Sequence, residues 1–212
     1  MPQTEMTCHS PATEQAPDGA TRIALIGSPN GGKTSIFNQL TGLHAKTGNY
    51  PGVTVSRSEG VARIHDHTFA IEDLPGTYSL SPISPDEQVV VDVLDGRMDQ
   101  VSAPDALVVV ADATALRRSL LLLAEVLPRH LPTAVVVTMT DELRRRQGSL
   151  DVTALSQALG VPVVAVVANR GIGIGELRNL LTTWHDWDRP PLDPPSRSCL
   201  LYTSDAADER SS

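Results

Sequence analysis

The sequence predicts an α/β fold: a mainly parallel six-stranded sheet with helices on both faces and one antiparallel edge strand. Three observations carry this expectation. Runs rich in β-branched residues recur along the chain, and helix-length segments separate most of them. Aromatic residues make up only 3% of the sequence, which leaves the core to Val, Leu, Ile and Ala rather than to the aromatic interior of a β-sandwich.

The strands are expected at RIALI (22–26), at 55–64, and at HTFAIE (67–72), DALVVVA (105–111), TAVVVT (133–138) and VPVVAVV (161–167). Helices are expected at 33–40, 86–94, 115–127, 152–159 and 176–184. Near-continuous apolar strands alternating with helices describe a parallel sheet buried on both faces. The weaker alternation of 55–64 suits an edge strand, pairing antiparallel with 67–72 across the turn at His65-Asp66-His67. Two imidazoles at that spacing could share a strand face and hold a metal, but a hairpin tip reads more simply as solvent-exposed.

The chain has 212 residues with a net charge of −8, a balance that argues against broad binding to nucleic acid or to anionic membranes. Its basic run, Arg144-Arg145-Arg146, reads as a solvated helix face. No uncharged stretch approaches the ~18 residues of a membrane helix, and no secretory segment opens the chain. Two cysteines, Cys8 and Cys199, provide no disulfide framework. The piece is expected to be a soluble intracellular domain.

Residues 1–20 lack Val, Ile, Leu and aromatic residues and read as a disordered tail, in which Cys8-His9 could seed a metal site but reads more simply as a pair without function. Residues 21–184 form the folded domain, and 185–198 form a Pro-rich linker or the start of a further region. Residues 199–212 resemble the translation of a sequencing adapter. The natural chain is expected to continue past a break near Ser198.

Function is written most clearly at Gly27-Ser28-Pro29-Asn30-Gly31-Gly32-Lys33-Thr34, a match to G-x-x-x-x-G-K-[ST] between a strand and a helix. Glycines let main-chain N–H groups turn around phosphates, and the helix N-terminus adds partial positive charge. Lys33 is expected to reach the β- and γ-phosphates, and the Thr34 hydroxyl to ligate Mg²⁺. This P-loop narrows the fold to a P-loop NTPase, and the motif that follows narrows it to the small G-protein-like type. Kinases, ATPases and GTPases all remain open on the P-loop alone.

A second motif, Asp73-Leu74-Pro75-Gly76, ends the HTFAIE strand 40 residues after Lys33. In D-x-x-G the carboxylate would hold Mg²⁺ through water and the Gly76 N–H would sense a γ-phosphate. Between the motifs lies a polar stretch, 44–56, suited to a flexible switch loop. Its segment Gly52-Val53-Thr54-Val55-Ser56 would close over nucleotide, with Thr54 as a further Mg²⁺ ligand.

For the base, Asp141 is placed to accept hydrogen bonds from guanine N1 and N2, with the role of a helix N-cap as its plain alternative. Thr138 stands where such proteins usually carry Asn. The missing amide should cost about 1–2 kcal/mol, a five- to thirtyfold loss of affinity. Ala168, Asn169 and Arg170 form a base-capping loop after the last strand.

With these pieces in place, residues 21–183 resemble the cytosolic GTPase domain of the FeoB ferrous iron transporters. The likeness rests on GSPNGGKTSIFNQLTG (27–42), TGNYPGVTVSRSEG (47–60) and DLPGTYSLSPISPDEQ (73–88). It implies a GTP/GDP-binding, Mg²⁺-dependent GTPase joined to a membrane permease in the same natural chain, at the cytoplasmic face of the bacterial inner membrane. It leaves homo-oligomerisation to the full-length transporter and implies no nucleic-acid partner. It also implies that Asn30 coordinates a K⁺ ion that accelerates hydrolysis. Lys33, Asn30, Thr54 and Gly76 are thus the expected catalytic group, with Thr34, Thr54 and Asp73 on Mg²⁺. Tyr50 occupies a position where Trp is common. Thr77 follows Gly76 where many GTPases use Gln, so slow hydrolysis is expected, and Glu87 serves to cap or orient helix 86–94.

Two other functions fit the same motifs. A GTP/GDP sensor with negligible hydrolysis is motivated by Thr77 and Thr138. A soluble GTPase acting on ribosome or tRNA shares the P-loop and D-x-x-G, but the acidic chain shows no basic aromatic surface.

Overall fold

The computed structural model describes residues 16–187 apart from Asp18 and His44, and places β1 (Thr21–Gly27) at the centre of a single sheet. The expectations for the terminal tails, including Cys8-His9 and the region from 188 onward, lie outside the described residues. The other strands are β2 (Ala45–Asn49), β3 (Ser56–Ile64), β4 (His67–Asp73), β5 (Ala106–Asp112), β6 (Thr133–Thr138) and β7 (Val163–Ala165). Their order is β2-β3-β4-β1-β5-β6-β7. Strands β4, β1, β5, β6 and β7 run parallel, and β3 joins β4 antiparallel.

Among the described residues the sheet has seven strands where the sequence pattern predicts six. The extra one, β2, pairs antiparallel with β3 and falls inside the stretch read as a flexible switch loop. Its sequence, Ala-Lys-Thr-Gly-Asn, buries almost nothing, so main-chain hydrogen bonds hold it and no apolar alternation announces it. β7 is shorter than the run 161–167: after Ala165 the chain leaves the sheet, and Val167 bridges to Ile172.

Alternation along the strands feeds two cores. On one face Ala24, Ile26, Leu107, Val109, Val135 and Val137 meet α2 (Pro85–Leu94), α3 (Leu116–Val126) and α5 (Val152–Leu159). On the other, Ile23, Leu25, Val108 and Val136 meet α1 (Lys33–Thr41) and α6 (Ile174–Thr182). A short helix, α4 (Thr140–Arg145), follows β6 directly. It carries Arg144 and Arg145, and Arg146 caps it; all three are exposed, and Arg145 and Arg146 pair with Glu142. His65 and His67 are exposed at their hairpin turn, with His65 at φ 52°.

This topology determines where a ligand can sit. The chain leaves β1 toward β4 on one side and later returns to β5 on the other, so a crevice opens at the C-terminal end of β1. Among the described residues, no helix is long and apolar enough to cross a membrane.

Candidate functional site

The P-loop starts where β1 runs out of space. At Gly27 a Cβ would lie 2.5 Å from the Val110 carbonyl oxygen on β5, so no larger residue fits. The chain then curls: the Gly31 N–H donates to the Ser28 carbonyl at 3.2 Å, and Asn30 (φ 62°) and Gly32 (φ 87°) adopt left-handed conformations. Pro29 and Asn30 form the exposed crest of this turn. α1 begins at Lys33 with no side-chain cap, which leaves its first N–H groups available to an anion.

Asp73, the last residue of β4, gathers the P-loop side chains. Its Oδ1 accepts from Lys33 Nζ at 2.8 Å and its Oδ2 from Thr34 Oγ1 at 2.7 Å. The Lys33 and Asp73 side chains are less than a tenth exposed, so the pair is screened from bulk water. A hydroxyl and a carboxylate at hydrogen-bond distance are hard oxygen donors of the kind Mg²⁺ requires, and the donor set fits that ion.

Beyond Asp73, Leu74 is buried and its N–H donates to the Leu25 carbonyl. Pro75 leads to Gly76, which packs directly on the P-loop: a Cβ there would stand 2.9 Å from Pro29. The Thr77 N–H then donates to the Gly27 carbonyl at 3.0 Å, tying the end of D-x-x-G to the start of the P-loop. Thr77 is fully buried, and its hydroxyl is committed to the Ser79 carbonyl. Glu87 accepts from the Ile83 N–H at 2.9 Å while its own N–H donates to the Ser84 hydroxyl, so it fastens the start of α2.

The segment 52–56 stands apart from this cluster. Gly52, Val53 and Thr54 are exposed in a turn closed by the Tyr50 N–H donating to the Val55 carbonyl, and Ser56 opens β3. Among the described residues the Thr54 hydroxyl makes no hydrogen bond with Thr34 or Asp73. Strand pairing of β2 with β3 holds this arrangement from below.

Thr138 is buried at the end of β6, and its hydroxyl donates to the Gly31 carbonyl at 2.7 Å. The P-loop and β6 are therefore in direct contact. Asp141 is in the first turn of α4, which Met139 caps, so the N-cap alternative does not apply. Its carboxylate faces Arg145 at 3.8 Å and Arg170 at 3.9 Å. Ala168, Asn169 and Arg170 form a single 3₁₀ turn, with Asn169 and Arg170 exposed.

Two further supports lie outside the sequence motifs. Gln39 of α1 donates from Nε2 to the Ala168 carbonyl at 3.0 Å, linking the helix that carries Lys33 to the 3₁₀ turn 129 residues away. Glu72, one residue before Asp73, accepts from Tyr50 Oη at 2.9 Å and from Arg57 Nε at 2.9 Å. A polar residue at the inward end of an apolar strand was the available signal for the second; nothing local marks the first.

A family model described as ferrous iron transport protein B matches residues 21–181. The chain belongs to the ferrous iron transport protein B family. FeoB relatives at similar distance come from several bacteria. The chain is 43% identical over 160 residues to the Fe(2+) transporter FeoB of Leptospira biflexa, covering 76% of this chain and 23% of that one. It is 42% identical over 174 residues to an Fe(2+) transport protein A/FeoB fusion protein of Porphyromonas gingivalis, covering 82% and 20%. The chain thus spans about a fifth to a quarter of the curated FeoB relatives it matches. The fold matches the crystal structure of the G domain of T. maritima FeoB with a TM-score of 0.71 at 37% identity, over 79% of this chain and 99% of that one. It also matches the GDP form I of the T. maritima FeoB cytosolic domain, with a TM-score of 0.75 at 36% identity, over 84% and 68%.

Proposed function

We propose that this FeoB domain binds GTP and GDP, hydrolyses GTP slowly, and through that cycle regulates ferrous iron uptake by a membrane permease carried on the same natural chain. The observation that supports it most is the convergence of Lys33 and Thr34 on Asp73 beneath the P-loop. Solved relatives described as GDP and GMPPNP forms of a FeoB cytosolic domain agree with a guanine nucleotide as ligand.

The residues divide the work. Main-chain N–H groups of 30–33 and the N-terminus of α1 hold the phosphates, and Lys33 turns from Asp73 toward the β- and γ-oxygens. Thr34 and Asp73 would hold Mg²⁺, and the ion would supply neutralisation of phosphate charge. Gly76, set against Pro29, offers its N–H to the γ-phosphate. Asp141 selects guanine, with Ala168, Asn169 and Arg170 closing over the base. Thr54 completes the metal site only after the turn at 50–55 leaves its place on the sheet edge. Asn30, on the P-loop crest, is the residue expected to hold K⁺. The domain acts at the cytoplasmic face of the bacterial inner membrane, and nucleic acid has no part in the cycle.

A second reading, a nucleotide sensor without appreciable turnover, is favoured by one observation. The Thr77 hydroxyl is buried and engaged, so the turn after Gly76 offers no side chain there to orient water. Single-turnover assays with Mg²⁺-GTP separate the two readings. GDP formation that Lys33→Ala abolishes supports the GTPase; GTP that binds and persists supports the sensor.

A further inference from the structure

Between Gly76 and α2 the chain crosses the surface of α3, and two α3 side chains outside every nucleotide motif grip it there. Glu125 accepts with one oxygen, Oε2, from both the Leu80 N–H at 2.6 Å and the Ser79 hydroxyl at 2.9 Å. Seven residues earlier, on the same face of the helix, the Arg118 guanidinium lies 5.0 Å from the centre of the Tyr78 ring. Ser79 passes the grip on, because its hydroxyl also accepts from the Ser81 N–H and its carbonyl accepts from the Thr77 hydroxyl.

The other end of this short segment is fixed to the P-loop. Thr77 is tied to the Gly27 carbonyl, and Gly76 lies against Pro29. Ser79 lies three residue steps after Gly76, a span of about 10 Å when fully extended, so restraint at Ser79 is felt at Gly76. We propose that Glu125 is a positioning residue for the phosphate-sensing turn: by holding Ser79 and Leu80 on α3 it sets where the Gly76 N–H stands relative to the P-loop. The inference rests on the GTPase reading for its kinetic consequence but not for the grip itself. Glu125 touches no part of the phosphate cluster, so its loss changes the turnover step and leaves the P-loop intact.

The test compares Glu125→Leu, which keeps the bulk and removes the acceptor, with Glu125→Gln, whose amide oxygen can accept from the same two donors. Steady-state GTP hydrolysis, GDP affinity and amide hydrogen exchange at Leu80 are measured on the full chain. Glu125→Leu should lower kcat about tenfold, the scale of one or two lost hydrogen bonds. GDP affinity should stay within about twofold, well inside the effect of one net hydrogen bond. Exchange at Leu80 should rise, and Glu125→Gln should restore both kcat and protection. Unchanged exchange at Leu80 in Glu125→Leu overturns the proposal, as does kcat equal to wild type. A parallel loss of GDP affinity in both variants also overturns it, because the effect is then general damage to the fold. If the wild-type chain binds nucleotide but turns none over, the GTPase reading fails instead, and exchange at Leu80 alone decides this one.

Discussion

The Tyr50 phenol donates a 2.9 Å hydrogen bond to Glu72, a buried carboxylate adjacent in sequence to Asp73. Arg57 approaches the same Glu72 oxygen from β3, and Arg22 stands 3.7 Å from the other. The turn bearing Thr54 and the strand bearing Asp73 therefore share one buried polar network. Tyr50 does more than supply an aromatic ring at the start of that turn.

Removing the phenol should be felt as a modest loss of stability. Tyr50→Phe keeps the ring in the core and leaves Glu72 paired with Arg57, so the expected cost is about 1 kcal/mol. Chemical denaturation at neutral pH measures it.

The same hydroxyl predicts an alkaline signature. Burial, reinforced by the Glu72 charge, raises the Tyr50 pKa far above its ordinary value. The unfolded chain releases that proton near pH 10 while the folded chain retains it, so the contribution is fully present below about pH 10 and is lost as the pH climbs beyond it. Wild-type stability should fall more steeply above that pH than the stability of Tyr50→Phe. Denaturation curves between pH 8 and about 11 provide the comparison.

Thr138 is expected to act on the phosphate side of the site through its 2.7 Å bond to the Gly31 carbonyl. Thr138→Val, equal in shape, should weaken GDP binding about five- to thirtyfold, and Thr138→Ser should restore most of it. Isothermal titration with GDP reads both variants.

Asp141 should carry the discrimination between bases. Asp141→Ala removes a charged acceptor and should weaken GDP on the order of a hundredfold while leaving ADP unchanged. Arg145 and Arg170 lose a common partner in that variant, but both are mostly exposed and their pairing contributes little. Competition of GDP and ADP for the same site measures the ratio.

The sequence legible in this way is the part whose signals are local. The P-loop, the D-x-x-G turn and five of the helices follow from spacing and apolar period, because each is decided within about a dozen residues. Three things escaped. β2 has no buried face, so Ala45–Asn49 reads as loop until β3 is beside it. Gln39 and Glu125 act on carbonyl, amide and hydroxyl groups 129 and 45 residues away or more, and a lone polar residue on a helix gives no sign of such a partner. The ring of Tyr50 is legible from its residue type, but its hydroxyl is not, because the acceptor lies 22 residues on.

The most direct test of the central claim is GTP and ATP turnover by the wild-type chain in K⁺ and in Na⁺, with Asn30→Ala and Asn30→Gly alongside. Asn30 sits at φ 62°, where Ala is strained by about 1 kcal/mol and Gly is not, so the pair separates loss of the amide from strain in the loop. The account predicts that GTP is hydrolysed in preference to ATP, faster in K⁺, and that both variants remove the difference between the two ions. Equal turnover of ATP, or a rate indifferent to K⁺ in the wild-type chain, would contradict it.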